Sequence, residues 1–383
     1  MNTRDFLSDT YRVRFEKLLS NGCCLAHADG MAVFVPFGIP GETAEIRITE
    51  QKKGYLLGEI IGISDYSSHR VQPVCPLFGR CGGCSLQHIS YEKQLELKKE
   101  MLTEALQRTG HLDFSDIRVI PSEPYGYRIR TQFHPAEKGK PGFMSRASNN
   151  VLPVENCPIC CDGINALLGN GRELKLKERT VFFAPDGKQV YSPAMGNGTS
   201  DIKIRLKGKE IRTNSLCFFQ SNRELFERML EMLDGMAEGG GIWLDLYSGI
   251  GLPGIFFTDR YRELYFVEES PFSSRYGAAN TAAFGKCRFF NMKTEAWIKS
   301  PKKNIKPDTI FLDPPRTGIS DTVAEYLTGS EAKDIFYLSC NFTTLARDLG
   351  KITEKNYKIS SINMFDFYPQ TPDMECLVHL CLI

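Results

Sequence analysis

The residue of this sequence best placed to do chemistry is Cys340, in the segment YLSCNFTTLARDL. The apolar residues before it predict a strand, and Asn341, Thr343 and Thr344 after it are residues that cap the start of a helix. A thiol beside a helix N-terminus has a lowered pKa and reacts as the thiolate. The sequence therefore predicts a nucleophile at the carboxyl end of a strand. A buried structural cysteine is the ordinary alternative for an isolated cysteine.

Two carboxylates stand at comparable positions. Asp313 ends an apolar strand in FLDPPRTG, where Pro314 and Pro315 keep the chain extended. Such a loop can present a carboxylate and backbone carbonyls to a flat base, although Asp-Pro-Pro turns are also common in loops. Glu375 begins the last apolar strand, after YPQTPDM. A carboxylate there is unusual unless it faces a site, where it could act as a general base.

A glycine-rich turn indicates a nucleotide-like ligand. LDLYSGIGLPG places Asp245 at a strand end and Gly249, Gly251 and Gly254 in the turn that follows. This spacing also fits a nicotinamide or flavin enzyme, and Glu268, at the end of the next strand, suits a ribose in either case. The acidic residue ahead of the glycines favours S-adenosylmethionine, because Asp245 can face the cationic amino group of the methionine moiety.

A thiol, a base and a methyl donor are the minimum set for methylation of carbon 5 of uracil. Carbon 5 is not nucleophilic enough until a thiolate adds to carbon 6 and turns the ring into an enolate. After methyl transfer, a base must remove the hydrogen on carbon 5 so that the thiolate can be eliminated. Cys340, Glu375 and the pocket of Asp245 and Glu268 supply this set.

The thirteen cysteines suggest a second centre. An odd number of cysteines in a chain without a secretory leader argues against a disulfide framework. Four cysteines are the expected ligands of a metal centre: Cys75, Cys81, Cys84 and Cys157. Cys160 and Cys161 compete with Cys157 for the fourth position. Four thiolates could hold zinc or an iron–sulfur cluster, and the spacing does not decide between them.

The elements that must position these residues change along the chain. Residues 10–66 alternate in short strands with turns at Pro40 and Gly41, which predicts a small OB-like β-barrel as the domain 1–66. Residues 67–217 hold the cysteines, strand-like segments and one amphipathic helix over 90–110, with Leu95, Leu102 and Leu106 on one face. We expect that helix to pack on the catalytic domain. Residues 218–383 alternate strands with helices, which predicts an α/β, doubly wound, mostly parallel sheet with its ligand site at the carboxyl ends of the strands.

The net charge of +1 conceals a gradient along the chain. Lys+Arg minus Asp+Glu is 7 − 9 = −2 for residues 1–66, 22 − 15 = +7 for 67–217 and 18 − 22 = −4 for 218–383. The basic middle predicts contact with a polyanion, although a solvated lysine-rich surface gives the same charge. No apolar run reaches roughly 18 residues, so we expect a cytoplasmic protein without a membrane segment. We also expect a monomer.

Taken together, these motifs resemble the RNA 5-methyluridine methyltransferase family over nearly the whole chain. FFQSN, LDLYSGIG, FLDPPRTG, YLSCNFTTLARDL and YPQTPDME come in the order and rough spacing of that family. GIPGE resembles its N-terminal TRAM barrel, and YGYRIRTQFHP resembles its arginine-rich strand. The resemblance implies a Rossmann-like, S-adenosylmethionine-dependent catalytic domain with Cys340 as nucleophile and Glu375 as base. It also implies five contacts to cofactor and uracil: Gln220, Tyr247, Glu268, Asn291 and Asp313.

The resemblance further implies a 4Fe-4S cluster on the four cysteines, with a structural or RNA-orienting role. Members with both the barrel and the cluster mostly act on 23S ribosomal RNA, which is the expected substrate. A tRNA T-loop uridine is the alternative within the family. A non-catalytic RNA-binding iron–sulfur protein and a dinucleotide oxidoreductase are the alternatives outside it.

Three positions depart from the family pattern. Leu252 replaces an asparagine of the glycine turn, which could remove one hydrogen bond to the cofactor. Asp373 replaces a histidine two residues before the glutamate, which could shift the pKa of the base. Ile129 interrupts a run that usually resembles Arg-Asn-Lys. None of the three belongs to the essential set.

Overall fold

The computed structural model describes residues 6–169, 174–199, 201–301 and 304–383. Within these ranges the strands form sheets of six, four, two and eight strands. No helix of the same ranges is long and apolar enough to cross a bilayer.

The N-terminal part is a six-stranded sheet. It is antiparallel except where β4 pairs with β6, and contacts between β1 and β3 bring its two sides together. Its strands are β1 (Thr10–Arg14), β2 (Lys17–Leu18), β3 (Cys23–Ala28), β4 (Met31–Pro36), β5 (Thr43–Lys52) and β6 (Tyr55–Asp65). Ala44, Ile46 and Ile48 alternate into its core, as the period of a strand requires. The strands predicted between residues 10 and 66 are confirmed, and residues 1–5 of the proposed domain lie outside the described ranges.

The predicted helix over 90–110 is confirmed as α1 (Tyr91–Arg108). Leu102 and Leu106 are buried, but Leu95 is only half-buried and Leu97 occupies the core side instead. The helix packs against α7 (Phe342–Thr353), as expected for a helix lying on the catalytic domain.

The rest of the middle of the chain forms two small antiparallel sheets with the orders β10-β9-β8-β11 and β12-β13. Their strands are β8 (Arg130–Pro135), β9 (Pro141–Met144), β10 (Val151–Pro153), β11 (Thr180–Phe183), β12 (Ile202–Leu206) and β13 (Lys209–Thr213). The helix α2 (Asp162–Gly169) lies between β10 and β11 along the chain.

The C-terminal part is dominated by an eight-stranded sheet of order β16-β15-β14-β17-β18-β20-β19-β7. Its strands are β7 (Ile117–Ile120), β14 (Gly240–Leu246), β15 (Tyr261–Glu268), β16 (Cys287–Asn291), β17 (Thr309–Leu312), β18 (Asp334–Ser339), β19 (Tyr357–Phe365) and β20 (Glu375–Leu382). Its helices are α3 (Arg223–Met236), α4 (Pro271–Thr281), α5 (Thr294–Ile298), α6 (Asp321–Gly329) and α7. Only β20 runs against its neighbours, so the predicted mostly parallel, doubly wound sheet is confirmed.

Two details differ from the sequence-based expectation. The chain between β14 and β15 forms a short 3-10 turn, Gly254–Phe257, where a helix was expected. The edge strand β7 comes from the middle of the chain and pairs in parallel with β19. The large sheet therefore includes residues that precede 218.

Candidate active site

The position of Cys340 relative to Glu375 follows from strand pairing. Ser339, the last residue of β18, is directly opposite Cys376 of β20 in the antiparallel register. Cys340 follows Ser339 and Glu375 precedes Cys376, so each lies one residue beyond this pair, at the same end of the two strands. Directly opposed residues of antiparallel strands lie about 4.5–5.5 Å apart between Cα atoms. The thiol and the carboxyl group therefore stand at the same end of neighbouring strands.

Glu375 is almost completely enclosed, with 2% of its surface exposed. The hydroxyl of Tyr368 donates a hydrogen bond to its Oε1 at 3.3 Å. Burial, and next the charge of Asp313, raise the pKa of Glu375 well above its usual value, while Tyr368 and Arg316 oppose that shift. Asp373 adds to the increase, so this departure from the family pattern acts on the base as expected.

The predicted lowering of the thiol pKa is wrong. Burial, followed by the charges of Glu375 and Asp313, raises the pKa of Cys340 to about 12, and Arg316 only partly opposes this. Cys340 does lie at the start of α7, where the side chain of Asn341 accepts a hydrogen bond from a backbone N–H. The sequence showed the helix start but not the two carboxyl groups that face the thiol. A cation bound beside them would move the pKa of the thiol down.

The loop after Asp313 is attached to the same helix. Asn341 Nδ2 and Thr344 Oγ1 both donate hydrogen bonds to the backbone carbonyl of Arg316, at 2.9 and 3.1 Å. Burial raises the pKa of Asp313 to about 7. These hydrogen bonds therefore connect the loop that follows Asp313 to the start of the helix that follows Cys340.

Most of the predicted site residues meet along one cleft at the carboxyl ends of the strands. The cleft has a volume of about 880 Å³. It is lined by seven of the predicted residues: Gln220, Tyr247, Gly249, Glu268, Asp313, Cys340 and Glu375.

Three predicted cofactor residues do not line this cleft. Asp245 is fully buried behind the glycine turn, so close to Gly254 that a Cβ there would lie 2.9 Å from the Asp245 carboxylate. Asn291 is exposed and donates hydrogen bonds to the backbone carbonyls of residues 268 and 269, at 3.0 Å each. Gly251 packs against the ring of Phe289. These three residues support the turn and the end of β15 from behind.

The glycine turn itself is held in an unusual backbone conformation. Tyr247 has a φ of 62° and Gly249 a φ of 55°, both in the left-handed region that a tyrosine rarely adopts. Glu268 fixes the turn, because its Oε2 accepts the backbone N–H of Gly249 at 2.9 Å and its Oε1 that of Ser270 at 2.7 Å. Strain of this kind clusters at ligand sites.

The cleft is strongly acidic. Five carboxylates line it: Glu268, Glu269, Glu295, Asp313 and Glu375. Only Lys293 and Arg316 carry positive charge along the same lining. A positively charged ligand therefore fits this cleft electrostatically.

Sequence analysis missed several residues of the site. Tyr368 belongs to the motif YPQTPDME and Arg316 to FLDPPRTG, but neither motif predicted a role in the site for these two side chains. Phe218 lies at the rim of the cleft with 60% of its surface exposed, and the motif FFQSN was the available signal. Arg316 also contacts Asp373 at 3.3 Å, which the replacement of histidine by aspartate makes possible.

The four predicted metal ligands lie away from the cleft, and the charge of Cys157 acts on each of the other three. Burial is the main cause that raises the pKa of Cys75, Cys81 and Cys84, and the neighbouring Cys157 raises each of them further. A hydrogen bond from the thiol of Cys160, opposed by burial, lowers the pKa of Cys157 to about 7. Cys157 therefore has the thiolate character of a ligand, with Cys160 as its donor.

A half-buried guanidinium accompanies these thiols. Burial works to lower the pKa of Arg128, but Tyr127, Cys160, Cys84 and Cys157 raise it overall. The Nε atom of Arg128 is buried and has no hydrogen-bond partner within the described part of the chain. A cation in this position fits an anionic centre on the thiols.

A basic groove opens beside the cysteine group, with a volume of about 980 Å³. Arg128, Arg130 and Arg146 line it together with Cys81 and Cys84. It also includes Asn21 and Cys23 of the N-terminal sheet. The predicted basic middle of the chain therefore contributes to a concave surface that suits a polyanion.

Within the described ranges, Asp334, His379 and Cys381 are the one group of three possible metal ligands whose ligand atoms lie within 4.8 Å of one another. Their contact is accounted for by a hydrogen bond of 2.6 Å between His379 Nε2 and Asp334 Oδ1. They lie at the far end of β18 and β20 from Cys340 and Glu375, and so outside the candidate active site.

The fold is shared with a solved methyltransferase structure. The crystal structure of Pyrococcus abyssi tRNA (uracil-54, C5)-methyltransferase in complex with S-adenosyl-L-homocysteine has the same fold. Its TM-score is 0.75 at 21% identity, and the alignment covers 97% of this chain and 100% of the other.

The family follows from the sequence comparisons. Residues 199–382 match the tRNA (Uracil-5-)-methyltransferase family, and residues 6–61 match the TRAM domain. An RNA methyltransferase of Treponema denticola is 33% identical, over 95% of this chain and 97% of the relative. One from Staphylococcus aureus is 30% identical, over 94% and 95%. The chain belongs to the TRAM-containing RNA 5-methyluridine methyltransferase family, and it is an enzyme that uses S-adenosylmethionine.

Proposed function

We propose that the protein methylates carbon 5 of a uridine, with Cys340 as the nucleophile and Glu375 as the base. The observation that carries this proposal is the pairing of Ser339 with Cys376, because it sets thiol and carboxyl side by side in the acidic cleft. No other cysteine lines that cleft in the described residues.

Gln220, Tyr247, Gly249, Glu268 and Asp313 are the proposed cofactor contacts. S-adenosylmethionine supplies the methyl group and a positive charge when it is bound. Gln220 fits this role, because its buried Oε1 atom lacks a hydrogen-bond partner among the described residues and could accept one from a ligand. In this proposal three of the predicted residues do not contact the cofactor but stabilise the glycine turn and the end of β15: Asp245, Gly251 and Asn291.

In the proposed catalytic cycle, Cys340 adds to the uracil ring and Glu375 removes a proton from it. The thiol of Cys340 loses its proton to solvent and its sulfur bonds to carbon 6 of uracil, so that the ring electrons make carbon 5 nucleophilic. Carbon 5 then takes the methyl group with its ring electrons, while the electrons of the broken bond to the methyl carbon stay on the sulfur of the donor. The ionised carboxylate of Glu375 accepts the proton left on carbon 5. The electrons of that C–H bond restore the ring double bond, and the Cys340 thiolate leaves.

Charge complementarity explains how two high pKa values serve this cycle. In the free protein, burial and then the charges of neighbouring carboxyl groups raise the pKa of both groups. A cation in the cleft offsets those negative charges and lowers the pKa of the thiol and of the carboxyl group. The chemistry is thereby restricted to the protein that already holds its methyl donor.

The proposed cluster site consists of Cys75, Cys81, Cys84 and Cys157. The donor set fits a 4Fe-4S cluster, since the charge of Cys157 acts on the other three thiols and the charge of the Arg128 guanidinium opposes that of Cys81, Cys84 and Cys157. When bound, such a cluster supplies a rigid link between the two cysteine segments. We also propose the boundaries 1–66, 67–217 and 218–383 as domains, with α1 and β7 docked on the last of them.

The proposed substrate is 23S ribosomal RNA, which would lie in the basic groove beside the cysteine group. A tRNA uridine is the second candidate, because the fold is shared with an enzyme named for tRNA uracil-54. The test is to map 5-methyluridine in ribosomal RNA and tRNA from a strain lacking the gene. Loss of the modified nucleoside from 23S RNA alone supports the proposal, and loss from tRNA alone overturns the choice of RNA.

A further inference from the structure

The loop between β19 and β20, residues 366–374, carries Tyr368 and leads directly into the proposed base. Besides the two strands that flank it, the helix α1 also holds this loop. Lys98, on the buried face of α1, reaches it from 268 residues earlier in the chain. Lys98 is not among the residues that line the cleft.

The ammonium group of Lys98 contacts both ends of the loop. It donates hydrogen bonds to Oδ1 of Asp366 at 2.5 Å, to the carbonyl of Tyr368 at 3.1 Å and to the carbonyl of Asp373 at 2.9 Å. An ammonium group has three N–H donors and no acceptor, so its whole capacity is used here. Lys98 thereby connects Asp366, at the start of the loop, with Asp373, two positions before Glu375.

The tip of the loop has a second attachment on the same helix. Gln94 Nε2 donates to Gln370 Oε1 at 3.0 Å, and the backbone N–H of Gln370 donates to Gln94 Oε1 at 3.1 Å. Gln370 has a φ of 71°, a left-handed conformation that a non-glycine residue adopts only when its surroundings fix it. Gln94 and Lys98 lie four residues apart, on one face of α1.

The cysteine segment reaches the same tip. The backbone N–H groups of Ser85 and Leu86, directly after Cys84, both donate to the carbonyl of Gln370 at 3.0 Å. The loop that presents Tyr368 and Glu375 is therefore fixed by a region of the chain outside the proposed catalytic domain.

We propose that Lys98 is a positioning residue for the methyl-transfer reaction and, together with Gln94, fixes the loop that sets the base. This inference rests on the proposed function. The side chains of Lys98 and Asp366 are both fully buried, so their ion pair is not a surface interaction that solvent could replace. Loosening it should displace Tyr368 and Glu375 while the cofactor-binding side of the cleft stays intact.

The test compares Lys98→Met and the double variant Lys98→Met/Asp366→Asn with a control, Lys93→Met. Lys93 is on the same helix, and its ion pair within the described part of the chain is with the exposed Glu96. The double variant leaves no unpaired buried charge, so it keeps the proposal testable if the single variant fails to fold. Amide hydrogen exchange of residues 367–374, S-adenosylmethionine affinity, turnover on RNA and covalent protein–RNA adduct are measured for each.

In the double variant we expect loop amides to exchange about tenfold faster. Turnover should fall on the order of 10–100-fold. Methyl-labelled adduct should accumulate and cofactor affinity should hold, with the control unchanged in every measurement. A folded double variant with unchanged loop exchange overturns the positioning role, whatever its activity. Loss of cofactor affinity without adduct overturns it as well. If the wild-type protein itself has no turnover on RNA while the loop still exchanges faster in the double variant, the proposed function alone is refuted.

Discussion

Tyr368 donates its hydroxyl hydrogen to Oε1 of Glu375 at 3.3 Å, while Oε2 of the same carboxyl group has no hydrogen-bond partner among the described residues. One oxygen is therefore oriented by the loop, and the other is left for a proton. This asymmetry fits a group that must accept a proton from one fixed direction. It makes the role of Glu375 the first to test.

Glu375→Gln should stop the reaction after methyl transfer. Thiolate addition and methyl transfer remove no proton from carbon 5, so they proceed with an amide at this position. Elimination requires that proton to leave, and an amide does not accept it. The methylated RNA should remain bound through Cys340, as a slow-migrating band that survives denaturation and carries the labelled methyl group.

The double variant Glu375→Gln/Cys340→Ala is the control, and it should show no such band. A stable Glu375→Gln protein that binds cofactor and turns over normally would remove Glu375 from the role of base. Asp373 would then be the next carboxylate to examine.

Cys340→Ala should lower 5-methyluridine formation by at least about 10³-fold while S-adenosylmethionine affinity hardly changes. The reason is that the thiol acts on the base and not on the cofactor. Labelled methyl transfer to RNA and calorimetric titration measure the two effects. Cys287→Ala, a cysteine of β16 outside the cleft, is the matched control and should keep full activity. Comparable activity in Cys340→Ala would contradict the mechanism.

Alkylation of Cys340 should accelerate with pH in the protein without cofactor. Because its pKa is raised to about 12, the thiol is protonated at pH 7. The reactive thiolate fraction should then grow about tenfold per pH unit between roughly 7 and 10 without levelling off. Site-resolved mass spectrometry after short iodoacetamide pulses measures the rate. A plateau near pH 7 would show a thiolate stabilised by the start of α7, and would refute the pKa increase that burial and the two carboxyl groups cause.

Protein purified without oxygen should carry about four irons and a broad absorbance in the blue. Cys81→Ser and Cys84→Ser should remove both, since each eliminates a proposed ligand. Cys157→Ser should do the same, whereas Cys160→Ser should weaken the cluster less, because its thiol only donates to Cys157. Stoichiometric zinc with no iron would overturn the cluster assignment.

The sequence alone determined the local placement of the reactive groups. An apolar run followed by capping residues is a short-range pattern, and it put Cys340 between β18 and α7. The same holds for Asp313 after β17 and for Glu375 at the start of β20. The alternation of strands and helices likewise determined the parallel sheet, because each step of it depends on neighbouring residues.

Only the tertiary structure decided how these groups behave. The pKa of Cys340 rises because folding buries the thiol and brings the charges of Glu375 and Asp313 close to it, and a local sequence pattern does not contain either effect. Asp245 lies behind its own turn because the turn folds over it. Lys98 finds its three acceptors at sequence separations of 268 to 275 residues, a pairing that helix periodicity does not predict. Desolvation and long-range contact depend on what the folded chain brings together, which no local pattern specifies.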